Sequence, residues 1–245
     1  MQILIVNPPH LSIGSRMPDE HLPPLGLLSI GGPLIDAGHD VKLLDADFHN
    51  FPIEVIVQMI FEANPDAILL GHSGSTSAQP VIDEITAQVR RLCKEIIVVV
   101  GGVFPTYHWK EILEENPQID YVVCGEGERT TLNLMNALAH RLSPQSVDGL
   151  AFRVEGVAQQ SAPAKLIRNL DEYRIGWELM EGCNYTYWGN QKAVVIQFSR
   201  GCPYPCTYCG QSLFWKTWGL PRSLWITRKL PGRDPSRLDG KRHPA

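Results

Sequence analysis

The sequence predicts an α/β chain whose first 140 residues form a doubly wound parallel sheet. Short aliphatic runs alternate with helical patterns over that stretch, the signature of parallel strands covered by helices. Glycine, proline and small hydroxyl residues gather where those strands would end at their carboxyl side. No G-x-G-x-x-G follows the first strand, which argues against a dinucleotide fold of the same general class.

Taken in order, the predicted strands are Gln2–Asn7, Asp40–Asp45, Ala67–Gly71, Ile96–Gly101 and Tyr121–Cys124. Helical patterns fall near Leu25–Ala37, Phe51–Ala63, Gln79–Cys93, Trp109–Glu115 and Thr130–His140. The opening Met1-Gln2-Ile3-Leu4-Ile5-Val6 lacks a basic leader and a long apolar core, so it reads as a buried strand and not as a signal peptide. Val147–Val154 and Val157–Gln160 read as a hairpin around Glu155-Gly156, within a connector spanning 141–192.

Ligands of doubly wound sheets sit beyond the carboxyl ends of the strands. Asn7-Pro8-Pro9-His10 follows the first strand, and Gly71-His72-Ser73-Gly74-Ser75-Thr76-Ser77 follows the third. The fourth ends in Gly101-Gly102-Val103-Phe104-Pro105-Thr106 and the fifth in Gly125-Glu126-Gly127-Glu128. Glycines there permit positive φ angles and close contact. Any one of these stretches is an ordinary turn, but four at one edge favour a large flat ligand.

Composition narrows the function. The 245 residues are 44% hydrophobic and 20% charged, with a net charge of −4. That is an ordinary globular composition and gives no case for nucleic-acid binding. No apolar run reaches the ~18 residues of a membrane helix. Six cysteines without a secretory signal point to a reducing cytoplasm.

Three of those cysteines, Cys202, Cys206 and Cys209, fall in eight residues at spacing C-x3-C-x2-C, after the apolar run Ala193 to Phe198. Thiolates are soft donors suited to iron–sulfur clusters. Three ligands for a cubane leave one iron open to a small molecule. A structural zinc site normally uses two ligand pairs, and the tail offers only His243 as a distant addition. Cys93 and Cys124 sit in or beside apolar runs and read as buried thiols; Cys183 receives no role.

Ser199-Arg200-Gly201-Cys202-Pro203-Tyr204-Pro205-Cys206-Thr207-Tyr208-Cys209-Gly210 resembles the cluster loop of radical S-adenosylmethionine (radical SAM) enzymes. The resemblance implies a 4Fe-4S cluster on the three cysteines, with S-adenosylmethionine on the open iron and its adenine near Tyr208. The Gly-Gly-x-x-Pro-Thr and Gly-Glu-Gly-Glu pair ahead of the triad resembles the cobalamin-binding, Rossmann-like domain of cobalamin-dependent members. It implies corrin contacts at Ser73, Ser75, Thr76, Gly101, Gly102, Gly125 and Gly127. The Asp-x-His-x-x-Gly cobalt-ligand signature is absent. His10, His21 and His72 read as loop histidines or as cobalt ligands.

Leu170-Asp171-Glu172-Tyr173 resembles the lead-in to the radical SAM (β/α) barrel, whose start is expected at 193–218. From residue 219 the composition changes to seven Lys/Arg, two Asp and four Pro in 27 residues, the composition of a disordered tail. A whole barrel would need many more residues after the cluster loop, so a truncated or frameshifted copy is expected.

The stretch from Ile13 to Leu28 and the run Cys209-Gly210-Gln211-Ser212-Leu213-Phe214-Trp215-Lys216-Thr217-Trp218 resemble, more narrowly, the anaerobic oxidative cyclases of bacteriochlorophyll synthesis. That implies a magnesium porphyrin substrate, magnesium-protoporphyrin IX monomethyl ester, whose isocyclic ring is closed by radical chemistry. It also implies an electron donor such as a ferredoxin or flavodoxin. Two alternatives stay open: a cobalamin-dependent radical SAM methyltransferase, and a non-catalytic cobalamin-binding fragment.

Overall fold

The computed structural model describes residues 1–9, 21–72, 78–187, 190–202, 204, 206–209, 214 and 226–227. Five parallel strands form in order along the chain: β1 (Gln2–Asn7), β2 (Asp40–Asp45), β3 (Ala67–His72), β4 (Ile97–Gly102) and β5 (Tyr121–Val123). Between and after them lie α1 (Leu25–Asp36), α2 (Ala46–His49), α3 (Ile53–Ala63), α4 (Gln79–Leu92), α5 (Val103–Tyr107), α6 (Trp109–Glu115) and α7 (Gly127–Ala139). Each strand and helix expected from the sequence over 1–140 is present, with ends shifted by at most three residues. Two short helices, α2 and α5, were not expected.

The shifts have local causes. α3 starts at Ile53 because Pro52 caps it in an extended conformation and its ring disfavours helix at the residue before. α7 starts at Gly127 instead of Thr130, with Glu126 as its extended cap. α2 is a single turn closed at both ends. The Asp45 side chain accepts from the Phe48 amide, and Asn50 ends the turn at φ 50°, the cap chemistry that Asp and Asn favour.

The sheet has seven strands, in the order β2-β1-β3-β4-β5-β6-β7. The hairpin predicted at 147–160 forms β6 (Leu150–Val154) and β7 (Val157–Gln160). It docks as part of the sheet, with β6 antiparallel to β5 through Tyr121↔Phe152 and Val123↔Leu150. Glu155 and Gly156 both take positive φ, 51° and 82°, the two-residue turn whose twist matches a hairpin.

Two apolar layers hold the sheet. On one face Leu4, Val6, Ile68, Leu70, Val98, Val100 and Val122 pack with Ile56 and Ile60 of α3, Ile82 and Ile85 of α4 and Ile112 of α6. On the other, Ile3, Ile5, Leu69, Val99 and Val123 pack with Leu27 and Leu34 of α1 and Leu134 and Met135 of α7. Consecutive strand residues alternate between layers, as a pleated strand requires, and each buried Leu or Ile contributes about 1.5–3 kcal/mol.

Beyond the sheet the chain doubles back across α1. The Gly176 amide donates to the Leu28 carbonyl at 2.9 Å. A methyl group on Gly32 would stand 2.2 Å from the Arg174 carbonyl oxygen, so the strap lies directly on the helix backbone. The apolar run 193–198 forms no strand; Val194, Ile196 and Phe198 are exposed. Among the described residues no neighbouring strand lies alongside it, and a strand is stable only in a sheet. Ser199–Arg200 instead pairs antiparallel with Ile226–Thr227. No helix among the described residues is long and apolar enough to cross a membrane.

His39 joins three segments and yields a pH prediction. Its ring is buried between the Met1 amine, 3.4 Å from Nδ1, and the Asn136 side chain, 3.0 Å from Nε2. Burial, reinforced by the Met1 ammonium and His140, pushes its pKa below the usual 6.5. Below pH 6.5 the unfolded chain therefore binds a proton that the native state resists. This contribution to stability is complete above pH 6.5 and is lost as pH falls toward the folded-state value, by at most about 1.4 kcal/mol per pH unit. Urea unfolding at pH 7.5 and 5.5 should show that loss in the wild type, and His39→Gln should reduce it. An identical pH dependence in the variant would refute the assignment.

Candidate functional site

The order 2-1-3-4-5 reverses between β1 and β3, so a crevice is expected outside the carboxyl ends of these strands. Four loops border it. Ser73, Ser75 and Thr76, in the loop after β3, lie outside the described residues, as does His10. The residues flanking the β3 loop are placed: the end of β3 is registered against Gly102, and Gln79 opens α4. Gln79 is buried, its Nε2 donates to Asp83, and its Oε1 has no hydrogen-bond partner. A buried amide oxygen without a donor is costly, and this one lies beside the loop predicted to receive a ligand.

The loops after β4 and β5 are tied together by a residue whose role sequence reasoning did not assign. The Thr106 hydroxyl donates to the Gly102 carbonyl at 2.7 Å and accepts from the Gly125 amide at 3.0 Å. Gly102 and Gly125 sit at φ 119° and 86°, conformations that only glycine adopts readily. The Gly-Gly-x-x-Pro-Thr stretch thus turns the backbone at Gly102 and uses its threonine to hold the neighbouring loop. Gly127 is close-packed, since an added Cβ would lie 3.1 Å from Ile30 Cγ2, whereas one on Gly101 would meet Val123 Cβ at 3.4 Å, an ordinary contact.

At the β1–β2 side of the edge Asp45 is the centre of a buried network. Its Oδ1 accepts from Asn7 Nδ2 at 2.7 Å and from the Phe48 amide at 3.1 Å, and its Oδ2 accepts from the Tyr185 hydroxyl at 2.6 Å. Burial, with the Asp45 carboxylate adding to it, pushes the Tyr185 phenol well above its usual range. The Tyr185 ring packs on Phe48, which meets His21 edge-on. The His21 amide donates to the Thr186 carbonyl, and its Nδ1 is buried without a partner. Tyr185, in the aromatic-rich stretch around Tyr185 and Tyr187, thus packs the connector against the β1–β2 side of the edge.

The cysteine loop lies past this edge. Cys202 and Cys206 are exposed, Cys209 is half-buried, and all six cysteines are free thiols. The Cys209 amide closes a turn on the Cys206 carbonyl at 3.3 Å. Among the described residues no three His, Cys, Asp or Glu side chains are gathered closely enough to hold a metal ion. The donor chemistry fits a cluster, since three reduced soft thiols share one short loop, but the loop is not drawn together around one. Tyr208 is 90% exposed. Cys124, by contrast, is fully buried, and burial pushes its thiol up to about 12; it is an inert core residue.

Both ends of the loop are fastened to the carboxyl edge. Before it, Arg200 reaches Glu126 and Glu128 after β5. Beyond it, the buried Phe214 ring meets Tyr107 of α5 edge-on at 6.3 Å.

Comparison with known proteins agrees with this geometry. The B12 binding domain family matches residues 18–135. The chain is 54% identical over 218 residues, 89% of its length, to an anaerobic magnesium-protoporphyrin IX monomethyl ester cyclase of Synechocystis, of which it covers 44%. It is 33% identical, over 89% of its length, to an uncharacterized methyltransferase of Pyrococcus horikoshii, of which it covers 47%. The chain thus spans less than half the length of these relatives. A solved structure of the radical S-adenosylmethionine methyltransferase TsrM from Kitasatospora setae, with cobalamin and a 4Fe-4S cluster bound, superposes with a TM-score of 0.65 at 20% identity. That match covers 93% of this chain and 43% of TsrM, and it establishes the shared fold. The α/β sheet, the B12-domain match and the 54% identity converge: residues 18–135 match the B12 binding domain family, and over 89% of its length the chain is similar to an anaerobic magnesium-protoporphyrin IX monomethyl ester cyclase.

Proposed function

We propose that this chain is the cofactor-binding part of a radical SAM oxidative cyclase acting on magnesium-protoporphyrin IX monomethyl ester. The observation that carries the proposal is the 54% identity over 89% of the chain to a protein of that activity. On this reading residues 1–140 hold cobalamin, 141–192 connect and 193–218 carry the cluster loop; of the stretch 219–245, expected to be a disordered tail, Ile226–Thr227 pair with Ser199–Arg200 instead.

The residues of the carboxyl edge fit a corrin. Gly102 and Gly125 turn the backbone so that it can approach a flat ligand closely, and Thr106 holds the two turns at a fixed spacing. Ser73, Ser75 and Thr76 supply small hydroxyls, and the Gln79 Oε1 supplies an unused acceptor. Gly127 keeps α7 close to Ile30 of α1. Cys202, Cys206 and Cys209 would hold the 4Fe-4S cluster, with Tyr208 flanking S-adenosylmethionine. When bound, that cofactor set supplies one-electron, radical chemistry, fed by a ferredoxin or flavodoxin; the chain's share is to bind and orient. With Cys202, Cys206 and Tyr208 exposed, the described residues do not shield a reactive centre from water, so this chain alone binds cofactors without efficient turnover.

The test is anaerobic reconstitution with iron, sulfide and hydroxocobalamin. A corrin absorption band that survives gel filtration, with a cluster EPR signal lost in Cys202→Ala, is the expected result. Retention of neither cofactor would overturn the reading. The methyltransferase alternative is favoured by the relative from Pyrococcus horikoshii. Product analysis on a whole homologous enzyme separates them: a ring-closed porphyrin against a methylated acceptor.

A further inference from the structure

The two glutamates of Gly125-Glu126-Gly127-Glu128 point away from any ligand-facing role. Both are buried, with side chains 5% and 6% exposed, and both grip Arg200, itself 10% exposed. Arg200 Nη1 donates to Glu126 Oε1 at 2.8 Å, Nη2 donates to Glu128 Oε1, and Nε donates to Gln197 Oε1 at 2.9 Å. The second oxygen of Glu126 accepts from the Ile167 amide at 2.7 Å. Burial pushes the Glu126 carboxyl above its usual range even against the Ile167 amide and the guanidinium.

This triad stands at a mechanical junction. Glu126 and Glu128 sit on the loop and first turn after β5. Arg200 is 74 and 72 residues further along the chain and immediately precedes Gly201. Gly201 takes φ 99°, a turn that non-glycine residues rarely make, and Cys202 follows it into solvent. A planar guanidinium forked between two carboxylates fixes direction as well as distance. The far side of the loop is held separately by Phe214 on Tyr107.

We propose that Arg200, Glu126 and Glu128 are positioning residues for the cysteine loop. They lock the backbone ahead of Cys202 to the edge of the sheet that bears the corrin-site loops, so that the Gly-Glu-Gly-Glu motif serves both cofactors: its glycines shape the sheet edge, and its glutamates aim the cluster loop. The part concerning the cluster rests on the reading of Cys202, Cys206 and Cys209 as its ligands.

Two readouts test this separately, both on the full chain under anaerobic conditions. The first is hydrogen exchange of the metal-free protein, which needs no cofactor. Arg200→Met should speed exchange across 197–209 by about tenfold or more, as a locally released segment does, while peptides of β1–β5 keep their protection. If the two orphaned carboxylates unfold that variant, Arg200→Met/Glu126→Gln/Glu128→Gln removes every charge at once and decides the matter. Arg200→Lys, which reaches one carboxylate as a point charge, should restore part of the protection. Unchanged exchange over 197–209 in the triple variant would overturn the lock. So would uniformly faster exchange of the whole sheet, which marks a general stability element.

The second readout is the EPR spectrum and iron content after loading with iron(II) and sulfide. The triple variant should show lower iron per chain and altered g-values, and unchanged iron and spectrum would overturn the positioning role. A wild-type chain that takes up no iron would sink the cluster reading itself, and the exchange arm would still decide the lock.

Discussion

Asp45→Ala is expected to lower the unfolding free energy by about 4 kcal/mol, among the largest single-residue effects in this chain. Three donors converge on the two carboxylate oxygens, those of Asn7, Phe48 and Tyr185, and alanine would strand all of them. A buried donor left without a partner costs about 1–3 kcal/mol; Asn7, at 9% exposure, recovers some of its loss through water. Tyr185→Phe removes one donor and should cost about 1.5 kcal/mol. Because the two residues share one bond, their double variant should destabilise by less than the sum.

The same network gives a signed alkaline dependence. The Tyr185 phenol is held above its ordinary value of 10.0 by burial and then by Asp45. Above pH 10 the unfolded chain loses a proton that the native state keeps. Its contribution is complete below pH 10 and declines as pH rises through that value toward the folded-state pKa. Urea unfolding at pH 8 and at pH 10.5 measures the effect, and Tyr185→Phe should flatten it. If Asp45→Ala shifts stability by less than about 1 kcal/mol, the three hydrogen bonds do not hold the β1–β2 edge as described.

Gly32→Ala should destabilise by about 3 kcal/mol, although Gly to Ala inside a helix ordinarily stabilises by about 1 kcal/mol. The reversal comes from contact with backbone. The new Cβ would lie 2.2 Å from the Arg174 carbonyl oxygen and 2.9 Å from the Gly176 amide nitrogen, and neither atom can rotate away as a side chain would. The strap must lift, breaking the Gly176–Leu28 hydrogen bond and drawing Leu179 off the apolar layer beside α1. Faster tryptic cleavage after Arg174, together with a lower urea midpoint at an unchanged slope, is the expected pattern. Gly31→Ala is the control, since its nearest contact is the terminal methyl of Leu179 at 2.3 Å, the movable end of a side chain. Equal losses in the two variants would show that strap docking is not set by the backbone contact.

Local chemistry in the chain was enough to determine five parallel strands, five of the helices and the 155–156 hairpin turn. Apolar runs, caps and glycines act within a few residues of one another, and the sheet residues that alternate between two layers do so through the pleat of their own strand. The spacing of Cys202, Cys206 and Cys209 was equally legible, because a ligand triad is written in consecutive residues. Gly102 and Gly125 were also marked by type, and the structure supplies their reason in positive φ.

What the tertiary structure decided lies in pairs far apart in sequence. Glu126 and Glu128 read as half of a loop motif until Arg200 arrives from 74 and 72 residues away. Asp45 reads as a strand end until Tyr185 closes on it across 140 residues. Gly32 reads as a weak point in a helix until Arg174 and Gly176 lie on it, and the hairpin reads as part of a connector until β6 finds the free edge of β5. Periodicity reports which face of an element is buried, not which distant segment buries it. That choice is made by shape, by the need of each buried charge for an opposite one, and by the need of each exposed strand edge for a neighbour.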